Sequence, residues 1–125
     1  YGLDFTNKIR RALTIGGPTF IHSIDPCPKG WDYDPKYSHE LGMLAVETGL
    51  WVQYEIVDGE VILNGPSRAI STGIRKRKPV TDYLDRQGRF AHLNDEDKKF
   101  FQDKVDESWE KWWIPGVVPF IEESP

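Results

Sequence analysis

Residues 25–35, DPCPKGWDYDP, hold three prolines, one glycine and three aspartates in eleven positions. Proline fixes φ and removes a backbone donor, so neither a helix interior nor a central strand can run through such a stretch. It is a loop, and it divides the first 24 residues from the remainder of the chain. It also holds the only cysteine of the chain, Cys27, between Pro26 and Pro28.

Before the loop, residues 4–14 place Phe5, Ile9, Ala12 and Leu13 on one helical stripe, with Asp4 as a candidate cap. Gly16-Gly17-Pro18 stops that helix, and residues 19–24, TFIHSI, are β-branched and aromatic and read as a short strand. Helix, tight turn and strand form the αβ half of a βαβ unit, which favours an α/β fold with a parallel sheet. A loop at the carboxyl end of such a strand lies where α/β sheets bind ligands.

After the loop, Ser38 is a candidate cap for a helix over 39–48, with Leu41, Leu44, Ala45 and Thr48 facing inward and Gly49 suited to the left-handed position at its end. Asp58-Gly59 between WVQYEIV and EVIL predicts a β-hairpin. Residues 64–78 read as a polar, basic loop, and Pro79 as the first residue of a helix over 79–87 that Gly88 would end. Asn94 caps a longer helix whose first turn carries Asp95, Glu96 and Asp97, with Phe101, Val105, Trp109 and Trp112 on one face. The tail, IPGVVPFIEESP, holds three prolines and is mostly apolar, so an extended arm lying on a partner surface is expected.

A length of 125 residues predicts one domain, and 38% hydrophobic residues suffice for a core. A net charge of −4 argues against a dedicated nucleic-acid binder. No apolar run approaches the ~18 residues of a membrane span, and no signal-peptide pattern opens the chain. A lone cysteine makes no internal disulfide, which points to a reducing, cytoplasmic location. The chain opens on Tyr1 and enters a helical pattern at once, as a segment of a larger chain would.

Cys27 has three readings. Free cysteines are ordinarily small buried hydrophobes. A nucleophile needs a base, and His22, five residues back on the expected strand, points away from the loop tip. A metal ligand suits a backbone stiffened by two prolines with few competing N–H groups, but a zinc or iron–sulfur site needs about four ligands. His22, His39 and His92 show no metal-type spacing and read as structural. The run RKRK, residues 75–78, reads as a solvated loop or as a docking patch for an acidic partner or a coenzyme A phosphate.

Several stretches together carry a resemblance. GPTFIHSIDPCPKGWDYDP (17–35), LGMLAVETGLW (41–51), RKPVTDYLDRQGRFAHL (77–93) and VDESWE (105–110) stand in the same order as in the β subunit of 2-oxoacid:ferredoxin oxidoreductases, and DFTNKIRRA resembles the helix before that family's strand. The chain resembles the C-terminal portion of that subunit over roughly residues 1–110. The resemblance implies an enzyme subunit, inactive alone, in the oxidative decarboxylation of a 2-oxoacid such as pyruvate. Its cofactors would be [4Fe-4S] clusters and thiamine diphosphate with Mg2+, with coenzyme A as co-substrate unless the substrate is oxalate. Electrons would pass to ferredoxin. It further implies that Cys27 is the last ligand of the proximal cluster. The other cluster ligands and most of the thiamine-binding residues would lie outside this chain.

The partners implied are the remainder of the β subunit, the other subunits and ferredoxin, with neither nucleic acid nor membrane. Residues 1–63 would end a thiamine-diphosphate-binding parallel-sheet domain, and residues 64–125 would form a helical extension with an interface tail. Lys29 departs from the family pattern, where a small hydroxyl residue is expected, and Asp25 adds a negative charge beside the loop. The reading of another class is a non-catalytic α/β interaction module in which Cys27 is buried.

Overall fold

The first helix, α1 (Gly2–Ala12), forms as its periodicity predicts, yet it buries none of its residues. Asp4 does not cap it; it sits in the first turn and pairs with Lys8 at 2.9 Å. The computed structural model of the chain describes residues 1–114, apart from the side chain of Trp112. Most of the apolar tail read from the sequence therefore lies outside the described residues.

Residues 19–24 form neither a helix nor a strand. A strand exists only through a ladder with a neighbour, and none of the described residues supplies one. The one sheet among the described residues is an antiparallel hairpin of β1 (Tyr54–Val57) and β2 (Glu60–Leu63), with Tyr54 opposite Leu63 and Val57 opposite Glu60. The expected parallel sheet is thus absent there, and the architecture is a mixture of helices with one small sheet. The hairpin turn is the one its sequence demands: Asp58 and Gly59 both have positive φ, 52° and 83°, the pattern that matches strand twist.

The Cys27 loop contains a single helical turn, α2 (Pro28–Trp31), and a 3-10 turn at Pro35–Tyr37. It leads into α3 (Ser38–Glu47), where Ser38 is the first helical residue rather than the cap and its hydroxyl donates to Pro35 O at 2.8 Å. The stretch read as a basic loop holds a helix, α4 (Gly65–Ser71), with Pro66 in its first turn. The helix expected over 79–87 is shorter, α5 (Thr81–Leu84), followed by a 3-10 turn at Gly88–Phe90. The last long helix, α6 (Asp95–Ser108), starts with a complete capping box: Asn94 Oδ1 accepts from the Asp97 N–H, and Asp97 Oδ2 accepts from the Asn94 N–H. It continues into a π-turn, Trp109–Trp113.

One core joins α3, α5 and α6. Leu41, Leu44 and Ala45 pack with Val80, Tyr83, Leu84, Val105 and Trp109. Burying each large side chain of this kind stabilises by about 1.5–3 kcal/mol. The Trp109 indole N–H is satisfied by Gly49 O at 3.0 Å. Gly49 has φ +84°, and a β-carbon there would lie only 2.8 Å from Arg77 Cδ and closer still to Trp109 Nε1. Both the left-handed backbone and the close approach of the indole require glycine.

Candidate functional site

The Cys27 loop is assembled by short-range backbone chemistry and then fastened to the core from far along the chain. Cys27 has extended backbone and occupies the N-cap of α2. Its sulfur accepts from the Gly30 N–H at 3.4 Å and its carbonyl from the Trp31 N–H at 2.9 Å. Pro28 takes the first helical turn, where its missing N–H costs nothing. Asp32 ends the turn in the left-handed conformation, φ 55°. Cys27 is exposed among the described residues, so its sulfur stands at the surface of the turn and is not covered by the core.

Nor does a cysteine–histidine pair form. The His22 ring packs edge-on against Trp51, with centroids 4.7 Å apart, and no hydrogen bond joins it to Cys27 among the described residues. No group of three or more histidine, cysteine, aspartate or glutamate side chains comes together among the described residues. Among the described residues Cys27 thus has no set of further metal-type side chains beside it. An outward thiol with an N–H directed at its sulfur suits an iron–sulfur ligand, because hydrogen bonds to sulfur tune such clusters.

Comparison with known proteins identifies the surroundings of this loop. The chain is 45% identical over 106 residues to pyruvate synthase subunit PorB of Methanothermobacter marburgensis, an alignment covering 85% of this chain and 34% of that protein. It is 45% identical over 107 residues to the subunit of the same name from Methanocaldococcus jannaschii, covering 86% of this chain and 34% of that protein. Ketoisovalerate oxidoreductase subunit VorB of Pyrococcus furiosus is 35% identical over 111 residues, covering 89% of this chain and 34% of that protein. Over this segment the chain belongs to the 2-oxoacid:ferredoxin oxidoreductase β subunits. It spans about a third of the length of these relatives. No family model matches it.

The basic run is largely taken up by carboxylates of the chain itself. Arg75 and Lys78 both hold the buried Glu47, at 2.5 and 2.8 Å. Arg77 pairs with Asp106 at 2.6 Å and lies over the Trp109 ring at 5.5 Å. Burial pushes the Glu47 carboxyl up, but hydrogen bonds and charge from Lys78 and Arg75 outweigh it and hold the group below the usual glutamate range. A cleft of about 520 Å3 opens beside the run, yet three of the four cations that line it already have carboxylate partners in the chain.

Sequence reasoning missed the residues that anchor the loop. The Gly88 N–H donates to Asp32 O at 2.7 Å. The Arg89 guanidinium lies 4.2 Å from the centre of the Trp31 ring. Trp31 in turn meets the core residue Tyr83 edge-on, with centroids 6.4 Å apart. The only sequence signal was the stretch QGRF at 87–90, already part of the resemblance but without a role. No helix among the described residues is long and apolar enough to cross a membrane.

Proposed function

We propose that this chain is part of the β subunit of a thiamine diphosphate- and iron–sulfur-dependent 2-oxoacid:ferredoxin oxidoreductase. In this reading Cys27 is one ligand of the proximal [4Fe-4S] cluster. The observation that carries the assignment is the exposed Cys27 sulfur, held at the cap of a proline-bounded turn with the Gly30 N–H as its polar contact. The cluster, when bound, moves single electrons between the substrate-derived adduct and ferredoxin. The chain's own share is to present a thiolate in one fixed direction and to direct an N–H at it. The remaining ligands and most of the thiamine diphosphate and Mg2+ site belong to sequence outside these 125 residues.

Subunits of pyruvate and of ketoisovalerate enzymes both match, and within Pyrococcus furiosus they do so at 32% and 35%, so the substrate class supported is a 2-oxoacid, with pyruvate and coenzyme A as the pair to test first. The apolar residues left open on residues 1–24, Leu3, Leu13 and Phe20 among them, support the remainder of the β subunit as a partner of that surface. Residues 1–63 are then the end of the thiamine-diphosphate-binding domain and residues 64–125 its helical extension.

Cys27→Ala in the assembled oxidoreductase tests the ligand role. The electron paramagnetic resonance signal of the proximal cluster should disappear, and ferredoxin reduction should slow sharply. A mutant complex with an unchanged cluster spectrum would overturn the assignment.

A further inference from the structure

We propose that Gly88 and Arg89 are positioning residues for Cys27, fixing the direction of its sulfur by clamping the far end of the turn that the cysteine begins. This rests on the reading of Cys27 as a cluster ligand, and it gives the QGRF stretch a role that the ligand assignment alone does not.

The turn has two ends. At the first, Cys27 caps α2 through its own sulfur and carbonyl. At the second, Asp32 leaves the helix with φ 55°, and Tyr33 N–H returns to Pro28 O at 3.1 Å. A single turn of four residues is far too short to be stable by itself. Within the loop, these few bonds and the two flanking prolines set the orientation of the thiol.

The clamp supplies what the turn lacks. The Gly88 N–H reaches the Asp32 carbonyl at 2.7 Å, tying the left-handed residue to the segment just after α5. A β-carbon at 88 would stand 2.6 Å from Asp32 Cγ and 2.9 Å from Asp32 Cβ; the carboxyl can rotate away but Cβ cannot, so the two segments would have to part. Arg89 covers one side of the Trp31 ring, and Tyr83 meets that ring edge-on. The guanidinium is itself held, since Nε donates to Gln87 Oε1 at 2.9 Å and Nη2 to the Tyr83 hydroxyl at 3.4 Å. Gln87 is buried, and its Nε2 donates to Tyr83 O at 2.7 Å. A rigid chain of contacts therefore runs from the core through Tyr83, Gln87 and Arg89 to Trp31, the last residue of the turn that Cys27 opens.

The experiment uses the assembled, cluster-loaded oxidoreductase carrying Gly88→Ala, Arg89→Met or Arg89→Lys. It reads hydrogen exchange in a peptide covering residues 26–34, and the spectrum and midpoint potential of the proximal cluster. With Gly88→Ala, exchange in 26–34 should rise about tenfold, as expected for one lost hydrogen bond, and the cluster spectrum should broaden or its potential shift. Arg89→Met should do the same to a smaller extent, about threefold in exchange, and Arg89→Lys should recover part of it. Exchange within α6 should stay as in the parent, which shows that the variants fold.

Faster exchange with an unchanged spectrum and potential would overturn the positioning role and leave a merely structural brace. Unchanged exchange in all three variants would overturn the clamp itself. The ligand reading fails by a different result, a persisting cluster signal in Cys27→Ala.

Discussion

The first 24 residues and the stretch from Ser38 to Trp109 obey the same amphipathic rules and end differently. In α1 the stripe of Phe5, Ile9, Ala12 and Leu13 is present, yet the helix buries nothing, and Leu13 is 80% exposed. In α3 the equivalent stripe of Leu41, Leu44 and Ala45 is fully covered by α5 and α6. Residues 16–24 make no backbone hydrogen bond from their N–H groups to other described residues, whereas most of α3, α5 and α6 do. Periodicity reports which face must be covered and is silent on what covers it. In one region the cover lies within the chain, and in the other the described residues do not contain it.

The comparison can be broken at its strong side first. Leu84→Ala removes a side chain with 1% exposure from the shared core and should cost about 2–5 kcal/mol, read as a fall in the urea midpoint of this chain. A loss below about 1 kcal/mol would mean that the core is looser than its burial indicates. Gly49→Ala should come next at about 2 kcal/mol, because it forces a left-handed alanine and displaces the Trp109 indole. The decisive readout is the tryptophan emission shift that accompanies loss of the Trp109–Gly49 bond.

Glu47 sharpens the comparison through pH. Its folded pKa lies below the unfolded value of about 4.3, so its contribution is complete above that value and is lost as pH falls through the lower folded one. Glu47→Gln should therefore cost about 1–2 kcal/mol at pH 7, since Arg75 and Lys78 remain partly solvated, and should flatten the acid limb of stability against pH. An acid limb identical to the parent's would remove Glu47 from that role. The smallest effect belongs to the open side: Leu13→Ser should change the stability of this chain by no more than about 0.5 kcal/mol. A larger loss would show that α1 already has a cover.

What was legible in the sequence was what is settled locally. Asp58-Gly59 fixes its own turn, Asn94 caps its own helix, and Gly49 serves its own helix end. What was not legible depends on partners distant in sequence or outside the described residues. Residues 19–24 have strand composition but no ladder. The helix at Gly65–Ser71 hides in a polar stretch containing glycine and proline, and is anchored by the buried Ser67, whose hydroxyl accepts from the Gln53 N–H at 2.8 Å. The Cys27 loop was legible as a loop and as a place for an outward sulfur. Its fastening by Gly88 and Arg89 was not, because nothing in either stretch announces the other.

The carboxylate-paired basic run has a consequence for proteolysis. Four consecutive lysines and arginines at 75–78 are the densest trypsin target in the chain. Cleavage, however, requires the backbone to open locally. There the Arg75 N–H is bonded to Ala69 O, the Lys78 N–H to Glu47 O, and Lys78 precedes Pro79, a bond that trypsin does not cut. Lys8, Arg10 and Arg11 sit on a helix with no buried residue, tied to the hairpin by the Arg11–Glu55 ion pair. In this chain by itself the first cut is therefore expected near the N-terminus, where a tally of basic residues would not place it.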